Sequence, residues 1–301
     1  MSGPVRVVGF LAVLAVVFAL ALGVGNAVGP VAEPAADPMA GHAAADDDAH
    51  AGAHDPATEE EIPGGLMVSE GGYTFRLLTE MVEPGRDVPV LFRIGGPDGH
   101  PVTAYDVAHG KQLHLIAVRR DLSGYQHVHP RLDKSGTWTT RLDLTPGEWR
   151  LFADFNPTGG VGMVLGADLT LGGPYRPEGA PVPARTVRVD GYDVSLAGEL
   201  APGADSPLTL TVSRDGRPVT DLQPYLGAYG HLVALRDGDL AYLHVHPEGA
   251  PGDGSTRPGP DVLFDAAVPS AGDYRLFFDF RHDGVVRTAE FAMSAGGEGH
   301  R

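Results

Sequence analysis

From about residue 70 onward the chain reads as short runs in which apolar and polar positions alternate, each run bounded by Gly, Pro or Asp. Alternation at period two marks strands with one buried face, and turn residues between such runs punctuate hairpins. The runs predict strands near 72–79, 89–94, 112–119, 125–129, 137–143, 148–155 and 162–171, and again near 189–197, 207–213, 231–236, 241–246, 262–267, 273–280 and 285–293. No run in this part carries a helical period. The Leu-Phe-x-Asp-Phe runs differ from the rest: Phe152 and Asp154 share one face while Leu151, Ala153 and Phe155 share the other, so these strands are expected to be covered on both sides.

The two series of strands are copies of one another. Asp98-Gly99-His100-Pro101-Val102-Thr103 reads against Asp215-Gly216-Arg217-Pro218-Val219-Thr220 at an offset of 117 residues. The same offset lays His114-Leu115-Ile116-Ala117 over His231-Leu232-Val233-Ala234, and Tyr125-Gln126-His127-Val128-His129-Pro130 over Tyr242-Leu243-His244-Val245-His246-Pro247. Further on, Trp149 to Phe155 matches Tyr274 to Phe280 at an offset of 125, the difference falling in a Gly/Pro/Asp-rich stretch at 249–261 that reads as a longer loop. Seven strands in about 100 residues predict an all-β fold of two tandem immunoglobulin-like or cupredoxin-like β-sandwiches. The boundaries are repeat one at 65–172, a Pro-rich linker at 173–183, repeat two at 184–296 and a tail at 297–301.

The N-terminal part has another pattern. Residues 7–24 are apolar without interruption behind Arg6, which predicts a hydrophobic helix within 1–28 acting as membrane anchor or signal peptide. Both readings place the remainder outside the cytoplasm, anchored to the membrane or secreted, because positive charge stays inside. Residues 29–64 are rich in Ala, Pro, Asp and Glu with few large apolar side chains, the composition of a disordered acidic linker. This linker also carries Met39, His42, Asp46, Asp47, Asp48, His50 and His54, a set of metal-ligating types.

Charge and composition narrow the function. With 22 basic against 39 acidic residues the net charge is −17, which repels nucleic-acid phosphates. Cysteine is absent, so disulfides and thiolate metal sites are excluded and any metal must be held by His, carboxylate or Met. No G-x-S-x-G, H-E-x-x-H or phosphate-cradling glycine loop is present, and no enzyme is expected.

The histidines carry the candidate chemistry. His114 precedes His127 by 13 residues, as His231 precedes His244, and His129 and His246 follow two residues later. Asp237-Gly238 predicts a two-residue hairpin whose register sets His231 across from His244, with His246 on the same face. A turn two residues longer would make His231 and His246 the near neighbours, still on that face. Asp154 and Asp279 are the candidate fourth ligands, giving one three-His, one-Asp shell per repeat, suited to Cu(II) before Zn(II). The competing reading is a metal-free structural or interaction module of the cell envelope, in which the histidines are hydrogen-bonded core and Pro ends the strand. His100, His109 and His282 rank lower, the first two because Arg217 and Leu226 stand at the matching positions.

On Lys111 to Ile116, His127-Val128-His129-Pro130, Trp149 to Phe155, Tyr229-Gly230-His231 and His246-Pro247, the chain resembles uncharacterised actinobacterial secreted or membrane-anchored two-repeat proteins with an H-x-H-P motif. More loosely it is similar to periplasmic copper-carrier and cupredoxin-like domains, which implies Cu(II) carriage; a carrier of this kind outside the cell is expected to have a membrane metal transporter as partner. It departs from those families in lacking the Cys of a blue-copper site and any Met-rich loop.

Overall fold

The computed structural model describes residues 62–79, 82–243 and 245–296. The apolar segment, the acidic linker through residue 61, His244 and the tail at 297–301 lie outside the described residues. Among the described residues no helix is long and apolar enough to cross a membrane.

Repeat one contains β1 (Ser69–Glu70), β2 (Tyr73–Leu77), β3 (Gly85–Gly95), β4 (Tyr105–Asp106), β5 (Leu113–Arg119), β6 (Gln126–Val128), β7 (Arg131–Leu132), β8 (Thr137–Leu144), β9 (Gly147–Pro157) and β10 (Met163–Leu171). Repeat two contains β11 (Thr186–Val189), β12 (Tyr192–Ala197), β13 (Asp205–Arg214), β14 (Arg217–Pro218), β15 (Gly230–Arg236), β16 (Tyr242–Leu243), β17 (Val245–Pro247), β18 (Asp261–Ala267), β19 (Gly272–His282) and β20 (Val285–Ala295). The described part is all-β, and each repeat is an antiparallel immunoglobulin-like sandwich. Its two sheets run β1-β2-β3-β8-β7 and β10-β9-β5-β6 in repeat one, and β11-β12-β13-β18-β17 and β16-β15-β19-β20 in repeat two.

Burial explains the two kinds of sequence pattern. In β3, Val88, Val90, Phe92 and Ile94 point into the sandwich while the residues between them stay at least partly accessible, the alternation of a sheet with one wet face. In β5, every residue from Leu113 to Arg119 is buried. Leu113, Leu115 and Ala117 fill the core of their own sandwich, whereas Ile116 and Val118 face repeat two. There they join Leu122 and Phe152, together with Val233, Leu235, Leu240, Tyr242 and Phe277 of the other repeat, in a third apolar core. The tandem sandwiches are therefore docked sheet to sheet, and both lie within one compact unit. Tyr125 stacks on Phe277 with centroids 4.0 Å apart and planes 4° from parallel. Each large side chain buried this way stabilises the junction by about 1.5–3 kcal/mol.

The segments flanking repeat one are fastened down. The Tyr242 amide donates to Gly64 O (2.9 Å), the Gly65 amide to Val164 O (2.8 Å), and the Arg150 guanidinium to the carbonyls of Gly65 and Leu66. The fold thus begins at Gly64, inside the stretch expected to be linker. Gly65 has φ +75°, and a Cβ there would lie 2.4 Å from the Phe152 ring, so glycine is required where the chain slips between the repeats. The Pro-rich linker forms no strand, but its Tyr175 hydroxyl and Glu178 amide both donate to Asp121 (3.3 and 2.8 Å).

The hairpin register departs from the two-residue expectation. Leu235 pairs with Tyr242 and Ala234 with Leu243, as Ala117 pairs with Gln126 and Ile116 with His127. The turn is longer because Leu240, with φ +63°, returns its amide to the Arg236 carbonyl before the strand resumes. Continued by one residue, the repeat-one register sets position 129 opposite His114, whereas in repeat two His246 pairs with Asp265 of β18 instead.

Candidate metal centre

The inter-repeat face of β5, β6, β9, β15 and β19 is apolar at one end and polar at the other. His114 lies on it by parity with Ile116, His127 by its pairing with Ile116, and Asp154 by parity with Phe152. In repeat two, His231 follows Val233 and Asp279 follows Phe277. Because the two faces dock, side chains of both repeats meet in one cluster among the described residues. His127 Nδ1 lies 2.9 Å from Asp279 Oδ2, joining residues 152 positions apart in the chain. His127 Nε2 lies 3.1 Å from His114 Nδ1, and His114 Nε2 lies 3.1 Å from the Ala108 carbonyl. The His231 ring is 4.8 Å from that of His127 and 5.7 Å from that of His114, and His129 is 5.0–5.1 Å from both.

Among the described residues, two groups place their ligand atoms within 4.8 Å of one another: His114, His127 and His129, and His127, His231 and Asp279. Each contains one buried ring nitrogen with no hydrogen-bond partner, His129 Nε2 in the first and His231 Nδ1 in the second. A buried polar atom left unpaired costs about 1–3 kcal/mol, so each orphan marks a place where a ligand would bring a gain.

Proton positions sharpen this. A carbonyl only accepts, so His114 Nε2 carries its proton toward Ala108 and Nδ1 is bare. The Asp279 carboxylate only accepts, so His127 Nδ1 carries the proton and Nε2 is bare. Two lone pairs then converge across 3.1 Å, close to the roughly 3.3 Å between adjacent nitrogens in a tetrahedral site with metal–nitrogen bonds of about 2.0–2.1 Å. Burial lowers His114 to about 4, against the Ala108 hydrogen bond and helped by His109 and Lys111. Burial, then His127, His114 and Lys111, take His129 to about 3. Burial, then His114, lower His127 to about 3, and burial, with His127, His114 and His109 acting against the raising effect of Asp279, holds His231 well below its usual value. The rings are therefore neutral at pH 7, the form that binds metal. Burial raises Asp279 to about 6, against Thr288 and His231, which leaves it a carboxylate at neutral pH.

Two of the other expected ligands, Asp154 and His246, have other neighbours. Asp154 is opposite His114 in the strand register but accepts a hydrogen bond from Tyr242, and burial raises it to about 6. His246 is exposed in β17, opposite Asp265 in the other sheet of its sandwich. His244 is outside the described residues. His109, ranked low for want of a counterpart, lies over the cluster, its ring 6.2 Å from His114 and 6.1 Å from His231. It occupies a two-residue turn closed by Ala108 and Lys111 in which His109 and Gly110 both have positive φ (50° and 74°). Leu226-Gly227 forms the same turn in repeat two, and an added Cβ on Gly227 would meet the His109 backbone at 3.8 Å. The sequence signal was His-Gly itself, a positive-φ dipeptide just ahead of the strand bearing His114.

A family described as a domain of unknown function (DUF8832) matches residues 68–166 and 186–297, one segment on each sandwich. The chain belongs to this family. It is an uncharacterised family in which the domain occurs twice in this chain. No curated protein matches the sequence significantly. Among solved structures, a DUF4426 family protein from Pseudomonas aeruginosa is 12% identical with a TM-score of 0.27, covering 36% of this chain and 91% of that one. The Escherichia coli adhesin FdeC is 17% identical with a TM-score of 0.26, covering 76% of this chain and 65% of its own. The fibronectin domains FN1–FN3 of chicken CNTN1 are 13% identical with a TM-score of 0.20, covering 77% and 66%.

Proposed function

We propose that this DUF8832 protein binds a divalent transition metal, copper before zinc, at one centre built jointly by its two repeats. The observation that carries the reading is the convergence of the bare nitrogens of His114 and His127 with His129, whose Nε2 is buried and unpartnered. Asp279 supports it from the other repeat, since a carboxylate accepting from the far nitrogen of a ligating imidazole fixes its tautomer and raises its basicity. Copper stands before zinc because Cu(II) binds a given nitrogen and oxygen site more tightly. The apolar segment at 7–24 supports an extracytoplasmic location, and the resemblance to actinobacterial envelope proteins with an H-x-H-P motif agrees with it. There the protein acts as a carrier that yields its ion to a membrane transporter, with no catalytic step of its own.

Calorimetric titration of metal-free full-length protein with Cu(II) and with Zn(II) tests this, in a background with His42, His50 and His54 changed to Ala. Binding tighter than micromolar that is lost in His127→Ala supports the centre. Binding weaker than micromolar, or binding indifferent to His127→Ala, overturns it. The hydrogen bonds that His114 donates to Ala108 and His127 donates to Asp279, the latter across the repeat junction, favour a second reading, an interface clasp that needs no metal. That reading requires thermal stability unaffected by chelator, whereas a metal centre requires stability that rises with free metal.

A further inference from the structure

The first group leaves half of the cluster unused. His231 sits directly across from Asp279 on neighbouring strands, its Nδ1 buried without a partner, and its ligand atom lies within 4.8 Å of those of His127 and Asp279. Thr288 Oγ1 donates to Asp279 Oδ1 (2.6 Å), which ties that oxygen down and leaves Oδ2 for the space shared with the two rings. Nothing in a single ion bound at His127 Nε2 satisfies His231.

We infer that the cluster is a two-ion centre in which His127 bridges, giving Nε2 to an ion shared with His114 and His129 and Nδ1 to a second ion shared with His231 and Asp279. The inference rests on the metal-binding reading above and adds the second ion, its ligands and the bridge. The second ion takes the place of the proton now between His127 Nδ1 and Asp279 Oδ2, and that proton leaves to solvent. The bridging ring becomes an imidazolate, whose negative charge together with the Asp279 carboxylate offsets part of the added positive charge. The ligand sets differ by repeat. Three imidazoles from repeat one hold the first ion, and an imidazole and a carboxylate from repeat two complete the second. Borderline divalent ions suit both, because imidazole and carboxylate are shared ligands of Cu(II) and Zn(II).

The full chain, again with His42, His50 and His54 changed to Ala, is loaded with Cu(II), desalted and assayed for bound copper and by electron paramagnetic resonance. The expected result is two ions per chain with the ordinary Cu(II) signal diminished by coupling through the imidazolate, and the full signal of one ion when zinc fills the other position. Asp279→Asn and His231→Ala are each expected to bind one ion with an uncoupled signal. One ion in the parent protein, unchanged in number by Asp279→Asn, overturns the bridge and leaves the single centre standing. Two coppers with fully uncoupled spectra also overturn it. No bound ion at all overturns the metal-binding reading itself. Because the parent protein alone decides between one ion, two coupled ions and two independent ions, the test survives if a variant fails to fold.

Discussion

The two repeats carry the same H-x-H-P motif at the same spacing and use it differently. In repeat one the chain stays in the inter-repeat sheet through Val128 and crosses to the outer sheet at Arg131, so His129 remains beside His114 and His127. In repeat two, among the described residues, Leu243 is paired with β15 and Val245 is already paired with Ala266 of the outer sheet. His246 is thereby set opposite Asp265 of that sheet. The aspartates diverge in the same manner. Asp279 faces Thr288 across its strand pair and engages His127, whereas Asp154 faces Val164 and engages Tyr242. Duplicated sequence has become one shared cluster with unequal contributions, because a strand that enters the outer sheet three residues earlier re-aims the side chains after the crossing.

The comparison can be broken most severely at His127, the residue common to both ligand groups. His127→Ala is expected to lower Cu(II) affinity by more than the roughly 100-fold typical of losing a supporting hydrogen bond, while His246→Ala changes it less than threefold; equal losses in calorimetry would make the repeats equivalent after all. The docking that creates the asymmetry is tested by Phe277→Ala. Removing this buried ring, stacked on Tyr125, should cost about 3–5 kcal/mol in denaturant unfolding, and a loss below about 1 kcal/mol would mean the repeats do not depend on their contact. A finer cut is His129→Ala against Asp154→Asn. The first is expected to weaken metal binding at least tenfold and the second to leave it within threefold, read by competition with a chromophoric chelator.

The smallest expected effect lies at the hairpin corner, where the repeats also differ. Asp121 accepts from Arg119, Ser123, Tyr175 and the Glu178 amide, and so fastens the inter-repeat linker, while Asp239 serves Arg236 and the Ala241 amide within its own turn. Burial alone would raise Asp121, but Arg119, Ser123 and the Glu178 amide outweigh it and hold the carboxyl well below its usual range. A depressed folded-state value stabilises the fold above the unfolded value of roughly 3.9 and is lost as pH falls through the folded one. Asp121→Asn should therefore melt below the parent protein at pH 7, and the gap should shrink as pH drops below about 4. A gap that widens in acid would contradict the assignment.

Much of this was legible in the chain. The strand positions follow from period-two alternation, and the burial of Leu-Phe-x-Asp-Phe on both faces is already written in β9 and β19. The parity of His114, Ile116 and Val118 announces a single face. Less legible was what covers that face, since Phe277 and Tyr125 meet only after two folded sandwiches dock. The register was misjudged because Asp-Gly suggests a two-residue turn, while the positive φ of Leu240 that lengthens it has no signature in a leucine. His109 was undervalued because its partner Leu226 shares the turn and lacks the chemistry.

The sequence by itself determined that there are two copies, that each is a sandwich, and that His114 and His127 share a face in repeat one, because those properties depend on neighbours within a few residues and on a strict period of two. Tertiary structure alone decided that side chains of both repeats meet in one cluster among the described residues and that Asp279 rather than Asp154 holds His127. Partners 152 residues apart are chosen by how two apolar sheets pack, and no local spacing encodes that choice.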